Sequence, residues 1–316
     1  MLRQTCPAQW TGGQVDKAAD GIKGIALSAV DSRLRGPMAN AMTVDVEDYF
    51  QVWAFSDRIH RRDWDDYPCR IEQNIDVVLE LFDEHAIHAT FFTLGWVGER
   101  YPQVVRRIVS AGHELASHGQ FHVRVHEQGP EEFRTDVRGA KRSLEDLAGV
   151  PIKGYRAASF SIGQRTPWAF EILAEEGYVY SSSIYPIRHD IYAMPEAPRY
   201  AFRPSAGLDL LEIPVSTLRV LHRNFPCGGG GYFRLMPYPL ARWAMRRVNR
   251  TDGLPCVFFF HPWEIDPEQP RIPGVSLKTR TRHYLNLRKM KPRLRRLLSD
   301  FTWDRMDTIF LEEEAG

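Results

Sequence analysis

Two histidines, His118 and His122, are separated by three residues in the stretch Gly112-His-Glu-Leu-Ala-Ser-His-Gly-Gln-Phe-His122. At that spacing, after a short apolar run, both imidazoles can point at one divalent metal ion. Histidine is the commonest nitrogen ligand for zinc, and a catalytic site adds a carboxylate and leaves a position for water. Asp45-Val-Glu-Asp48 offers that carboxylate. A hydrolase built this way also needs a base, a cation to orient it and an acid. Asp45 closes an apolar stretch, Thr43-Val-Asp-Val, and a carboxylate there can take a proton from water. Arg156, in Gly-Tyr-Arg-Ala-Ala-Ser-Phe-Ser, could orient Asp45 and keep it ionised. His261, in Val257-Phe-Phe-Phe-His-Pro-Trp-Glu264, emerges from a buried-looking run and suits protonation of a leaving amine. Each residue also has a bland reading: a surface histidine pair, a turn carboxylate, a structural ion pair, a histidine satisfied by backbone. What favours chemistry is that all of them fall at separate predicted strand ends.

The elements that must position them follow an α/β pattern. Ala41 to Glu47 reads as a strand with Met42, Val44 and Val46 on one face and Thr43, Asp45 and Glu47 on the other. Helical spacing of Ile71, Ile75, Val78, Leu79 and Phe82 follows, then strands over Ile87–Leu94, His113–Ser117, Ile152–Ala157, Tyr178–Ile184, Leu211–Val215 and Cys256–His261. Pro102 and Gly112 bracket one intervening helix, and Glu131–Leu147 forms another, closed by Gly149. Thr166 reads as an N-cap ahead of Pro167. Alternation of this kind builds a parallel sheet, closed as a barrel or doubly wound, whose active site lies at the strand C-termini.

Bulk properties exclude several classes. A net charge of +1 over 316 residues argues against a nucleic-acid binder. Four scattered cysteines without a CxxC pair suit reduced thiols in a cytosolic protein. No apolar run is long enough to span a bilayer, and no signal-peptide pattern opens the chain. The expected location is therefore the cytoplasm, either free or at the inner face of the membrane. Residues 1–38 read as a poorly ordered leader, 39–316 as the catalytic domain, and about 271–316 as its basic helical extension. The run Pro226-Cys-Gly-Gly-Gly-Gly-Tyr-Phe-Arg234 lacks the lysine of a phosphate-binding loop. It reads either as a flexible loop presenting Tyr232 and Phe233 to a sugar, or as a plain turn.

Taken in order, Thr43–Phe50, Ser117–His122, Gly154–Ser161, Gly228–Arg234 and His261–Asp266 resemble the motifs of the polysaccharide deacetylase family, carbohydrate esterase family 4. The resemblance runs from about Thr43 to Phe310, and it is strongest to the branch associated with exopolysaccharide and PEP-CTERM loci. It implies a distorted (β/α) barrel, a divalent metal, usually Zn2+, and hydrolysis of N-acetyl groups on the amino sugars of a bacterial exopolysaccharide or its precursor. Carried over, Asp45 is the base, His118 and His122 are ligands, Arg156 orients Asp45, and His261 is the acid. A metal-activated water would attack the acetamide. Tyr232, Phe233 and Trp263 are the expected sugar contacts. The other reading is a metal-independent amidohydrolase of the same fold, acting on a small non-sugar amide or cyclic ureide.

Three positions depart from the family pattern. Val46 follows Asp45 where a second aspartate is usual, so the carboxylate ligand is expected at Glu47, on the strand face of Asp45, with Asp48 as the other choice. Ala158 replaces a usual proline, and Ser181 stands where aspartate is frequent. From Arg271 to Arg296 there are many Lys and Arg residues and no acid, while Leu294, Leu297, Leu298 and Phe301 suggest a helix packed on the barrel. Its outer side is a solvated face or a contact for an anionic membrane or glycan.

Overall fold

A computed structural model describes residues 38–189 and 194–311. The leader expected over residues 1–38 therefore lies, apart from Met38, outside the described residues. Strands β1 (Ala39–Val46), β2 (Thr90–Thr93), β3 (Glu114–Ser117), β4 (Gly154–Tyr155), β5 (Tyr180–Ser181) and β6 (Leu211–Glu212) pair in sequence order, each parallel to the next. A separate antiparallel hairpin follows, β7 (Thr217–Val220) with β8 (Arg223–Pro226). Two more strands, β9 (Val257–Phe260) and β10 (Thr302–Asp304), return to pair parallel with β1. The sheet curls, and loop backbone rather than strand closes the seam between β6 and β9. There Ser216 N donates to the Val257 carbonyl (3.3 Å) and Phe259 N to the Gly228 carbonyl (2.7 Å). The distorted (β/α) barrel read from the sequence is the architecture observed.

Period-two alternation divides each strand between two environments. On β1, Met42, Val44 and Val46 face the main core between sheet and helices, whereas Ala41 belongs to the lumen cluster with Phe92, Ala116, Tyr180, Ile213 and Val257. The same period carries Asp45 inward at the C-terminal end of β1, and His118 and His261 follow directly on β3 and β9. The lumen is thus apolar in the middle and charged at its rim.

Helices α1 (Ile71–Asp83), α2 (Gly95–Arg100), α3 (Pro102–Ser110), α4 (Pro130–Ala148) and α5 (Trp168–Glu175) cover the first half. Helix α4 shows why they form where they do. Pro130 sits in its first turn, Glu132 accepts from Gly129 N (2.9 Å), and Gly149 ends it at φ 67°. Its buried stripe is Phe133, Val137, Ala140 and Leu144. Thr166 does not cap α5; its hydroxyl closes the preceding turn by accepting from Gly163 N (2.9 Å). The second half adds α6 (Gly230–Leu235), α7 (Tyr238–Arg247), α8 (Leu277–Tyr284), α9 (Leu287–Asp300) and α10 (Met306–Phe310). Leu287, Met290, Leu294, Leu297 and Leu298 seat α9 on the barrel and turn its basic side outward. Cys69, Cys227 and Cys256 are free thiols, and among the described residues no helix is long and apolar enough to cross a membrane.

Helix α10 docks at the opposite end of the lumen from the site, on a buried carboxylate. Glu114 accepts from Thr90 Oγ1 (2.5 Å), Tyr180 Oη (2.8 Å) and Asp307 N (3.2 Å). Burial, reinforced by the charge of Asp307, pushes its pKa up to about 7. A carboxyl with a raised folded pKa stabilises the fold below its unfolded value and loses that contribution as pH rises through the folded one. We predict that Glu114→Gln, which cannot ionise, gains stability relative to the parent between pH 4.5 and about 7 and levels off above. Urea midpoints across that range are the measurement. An offset that stays constant with pH would show that Glu114 does not titrate there.

Candidate active site

At the rim of the lumen the Arg156 guanidinium is fully buried. Its Nη1 donates to Asp45 Oδ1 (2.6 Å) and Thr43 Oγ1 (2.8 Å), Nη2 to Ser182 Oγ (2.9 Å) and Nε to the Ser182 carbonyl (3.1 Å). The Phe92 ring lies 4.0 Å from its Cζ. Asp45 is held by one oxygen, and its Oδ2 turns toward His261.

Beside this pair, Glu47, His118 and His122 each bring one ligand atom, and these atoms lie within 4.8 Å of one another. His118 Nδ1 donates to the Arg156 carbonyl (2.8 Å), which leaves Nε2 as the lone-pair nitrogen, the tautomer that a metal ligand needs. Burial lowers the His118 pKa to about 4, so the ring is neutral. For Glu47, burial works upward, but the charges of His122 and His261 outweigh it and hold the pKa at about 2. His122 Nε2 approaches Glu47 Oε2 to 2.9 Å without hydrogen-bond alignment, and that oxygen has no hydrogen-bond partner among the described residues. An ionised, buried, orphaned carboxylate oxygen facing two imidazoles is what a divalent cation would satisfy, so the donor set fits a metal.

Of the two carboxylates left open by the sequence, only Glu47 joins this cluster. Asp48 is turned into the chain: Tyr49 N donates to its Oδ1 (2.7 Å) and Arg70 N to its Oδ2 (2.5 Å). Ser181 donates to Ser183 Oγ (2.8 Å), which accepts from Ala157 N (2.9 Å), so it serves the loop after β4. That loop carries Ala158 in place of proline, and the next two residues, Ser159 and Phe160, adopt left-handed backbone at φ 53° and 50°. His122 does the same at φ 54°. All three line the cleft, so backbone strain collects at the site.

His261 stands beside both Glu47 and Asp45, with Nε2 3.4 Å from Glu47 Oε1 and 4.0 Å from Asp45 Oδ2. Its Nδ1 meets Glu264 Oε1 at 2.9 Å, and Glu264 Oε2 accepts from Arg234 Nε (2.7 Å). Burial alone would lower the His261 pKa, but Glu47, Glu264 and Asp45 raise it to about 9. Glu264, likewise opposed by burial, is held at about 2 by Arg234 and His261. Arg234 is itself buried, and its remaining donors reach the carbonyls of Arg282, His283 and Leu285. Sequence reading overlooked both residues. Glu264 was detectable as the third residue after His261 in a capping-box spacing, whereas nothing local marks Arg234.

The expected sugar contacts need correction. The glycine run is neither a flexible loop nor a plain turn: from Gly230 it forms α6, which turns Phe233 into the core against Phe258 (centroids 5.2 Å). Tyr232 packs edge-on to Tyr185 (6.3 Å) and does not line the cleft. The run has a packing reason, since a Cβ on Gly230 would lie 2.4 Å from Glu264 Oε1. Trp263 does line the cleft, but its faces are covered by His261 (5.1 Å, 18°) and His283 (4.1 Å, 12°). Trp53, Phe160 and Phe259 supply the other aromatic walls of the open cleft.

A curled parallel barrel with a two-histidine, one-carboxylate cluster at its C-terminal rim defines a class of candidate hydrolases. The family described as "Polysaccharide deacetylase" matches residues 63–180, and a "Domain of unknown function (DUF3473)" matches 182–311. Residues 63–180 thus carry the signature of the polysaccharide deacetylase family, carbohydrate esterase family 4. It is 29% identical over 97 residues to a chitooligosaccharide deacetylase of Bradyrhizobium sp. (strain ANU 289), covering 31% of this chain and 42% of that protein. It is 32% identical over 79 residues to a peptidoglycan-N-acetylglucosamine deacetylase of Bacillus cereus, covering 25% and 29%. The matches thus span less than half the length of these relatives. Solved structures described as polysaccharide deacetylases of Mycobacterium smegmatis (TM-score 0.55, 22% identity, 87% of this chain and 93% of that one) and Pseudomonas aeruginosa PAO1 (0.57, 16%, 86% and 89%) share the fold.

The two carboxylate positions make opposite predictions. A divalent ion that binds only the folded protein at a hundredfold excess over Kd should add about 2.7 kcal/mol of stability. We expect zinc to raise the melting temperature of the parent and of Asp48→Asn, and to leave His118→Ala and Glu47→Gln unmoved. Loss of the shift in Asp48→Asn with its retention in Glu47→Gln would reassign the ligand.

Proposed function

We propose that this protein is a metal-dependent N-deacetylase acting on amino sugars of a polysaccharide, and that exopolysaccharide or its precursor is the substrate class. The observation that carries the reading is that Asp45 and His261, with Oδ2 and Nε2 4.0 Å apart, border the Glu47–His118–His122 cluster, and all five line one cleft. The family signature over residues 63–180 and the printed activities of the relatives point the same way. The alternative metal-independent amidohydrolase has no such observation behind it, whereas Glu47 offers a third donor beside the two histidines.

Bound at Glu47, His118 and His122, a divalent ion supplies Lewis acidity, polarising the acetamide carbonyl and acidifying water. The protein's own residues do the rest. Asp45, with Oδ1 fixed by Arg156, accepts the proton of the attacking water at Oδ2. The water oxygen bonds to the carbonyl carbon, the C–N bond breaks, and the sugar nitrogen takes a proton from His261 Nε2. Acetate and a free amine leave. Glu264 holds the His261 ring by Nδ1, so its Nε2–H is aimed into the cleft, and Arg234 holds Glu264 in turn.

Acetate release from N-acetylglucosamine oligomers tests the function. Asp45→Asn and His261→Ala should each lower kcat by about 10²- to 10⁴-fold, with the fold intact by circular dichroism. Full activity in metal-stripped protein kept in chelator would exclude this mechanism. Arg234 is expected to act only through His261. Arg234→Met should lower kcat more than it changes KM, and should cost nothing further in a His261→Ala background. Losses that multiply in the double variant would reduce Arg234 to a structural residue.

A further inference from the structure

Ten large apolar side chains are exposed among the described residues, and six of them, Val220, Leu221, Phe225, Leu235, Leu240 and Trp243, fall between Ile213 and Thr251. That stretch contains seven arginines and no carboxylate. Two more, Leu277 and Leu285, fall between Gln269 and Ser299, which holds ten Lys and Arg residues and again no carboxylate. The two acid-free stretches are joined in space: β7 packs on α7, and α9 packs on both α6 and α7. Arg293 Nη1 donates to the carbonyl of Arg234 (2.8 Å) beside Leu235, and Arg234 Nη1 donates to that of Leu285 (2.7 Å). Apolar side chains left in water are therefore gathered in one basic region of the molecule.

The hairpin gives a second, independent observation. Leu221 and His222 form its two-residue turn at φ 46° and 62°, where glycine and asparagine are preferred. A leucine there strains the backbone, and at 89% exposure it returns nothing to the fold. Val220 and Phe225, 38% and 48% exposed, share one hairpin face, because Val220 is paired with Arg223 and Phe225 with Leu218. On α7, Leu240, Trp243 and Arg247 share its outward stripe. Among the described residues the ion pairs of this region use Arg199, Arg234, Arg242, Arg246, Arg288 and Arg295. Arg219, Arg223, Arg247 and Arg250 are exposed without one.

We propose that this basic region is a docking surface for an anionic phospholipid bilayer. Leu221 and Trp243 enter the interface, and the surrounding arginines meet the headgroups. Aliphatic tips, an exposed tryptophan and unpaired arginines are the composition of an interfacial anchor. A soluble polyanion would engage the arginines and leave Leu221 and Trp243 in water, so it makes a different prediction.

Flotation of the full chain with vesicles separates these cases. The protein should rise with vesicles rich in phosphatidylglycerol, stay behind with phosphatidylcholine alone, and be released progressively by salt. Leu221→Ser combined with Trp243→Ser should weaken partitioning by at least ~10-fold. Arg219→Gln with Arg223→Gln should weaken it by about five-fold per charge. All four side chains are exposed, so melting temperature and acetate release from soluble oligosaccharide should not change. Absence of flotation at low salt, or equal flotation on neutral vesicles, would overturn the proposal. So would loss in the arginine variant with full binding by the Leu221/Trp243 variant, an outcome that would assign the surface to a soluble polyanion.

Discussion

A guanidinium sealed inside a barrel must find acceptors for its N–H groups, and the way Arg156 finds them organises the whole rim. Asp45 and Thr43 on β1 and Ser182 after β5 converge on it, while its own carbonyl sets the His118 tautomer. One residue thus holds the base and prepares a metal ligand. Taking away either member of such a buried pair typically costs about 3–5 kcal/mol, because the other charge is left uncompensated. That penalty leaves Asp45 with little freedom to point elsewhere.

On the opposite wall the same problem is solved with another arginine. Glu264 is ionised in a dry site only because Arg234 and His261 flank it, and Arg234 is satisfied by carbonyls at the junction of α8 and α9. The C-terminal helices therefore support the acid side of the site as well as extending the barrel. Gly230 completes this arrangement, since any side chain there would displace the Glu264 carboxylate. The match boundary between residues 180 and 182 falls between the two arginine systems. Arg156 lies in the first matched segment, Arg234 and Glu264 lie in the second, and β1 lies ahead of both.

Much of this was legible without coordinates. Alternation in Met42–Glu47 already assigns Asp45 and Glu47 to one face, because side chains on a strand alternate whatever it packs against. Helix α4 is written in its proline, glutamate and glycine punctuation. The glycine run shows the limit of such reading. Consecutive glycines look like a loop by local propensity, yet contacts with Glu264 and β9, far away in sequence, make them a helix start and send Phe233 into the core.

By itself the sequence determined which chemical groups this protein carries, their order along the chain and the strand ends at which they emerge. Those properties depend on residue type and on the short period of a strand, and both are local. Tertiary structure decided which carboxylate meets the histidines, which aromatic rings face the cleft and which buried cation supports His261. Asp48 and Glu47 differ by one position, but backbone donors from Tyr49 and Arg70 claim the first and leave the second its unpaired oxygen. That choice is made by partners brought together only when the chain has folded.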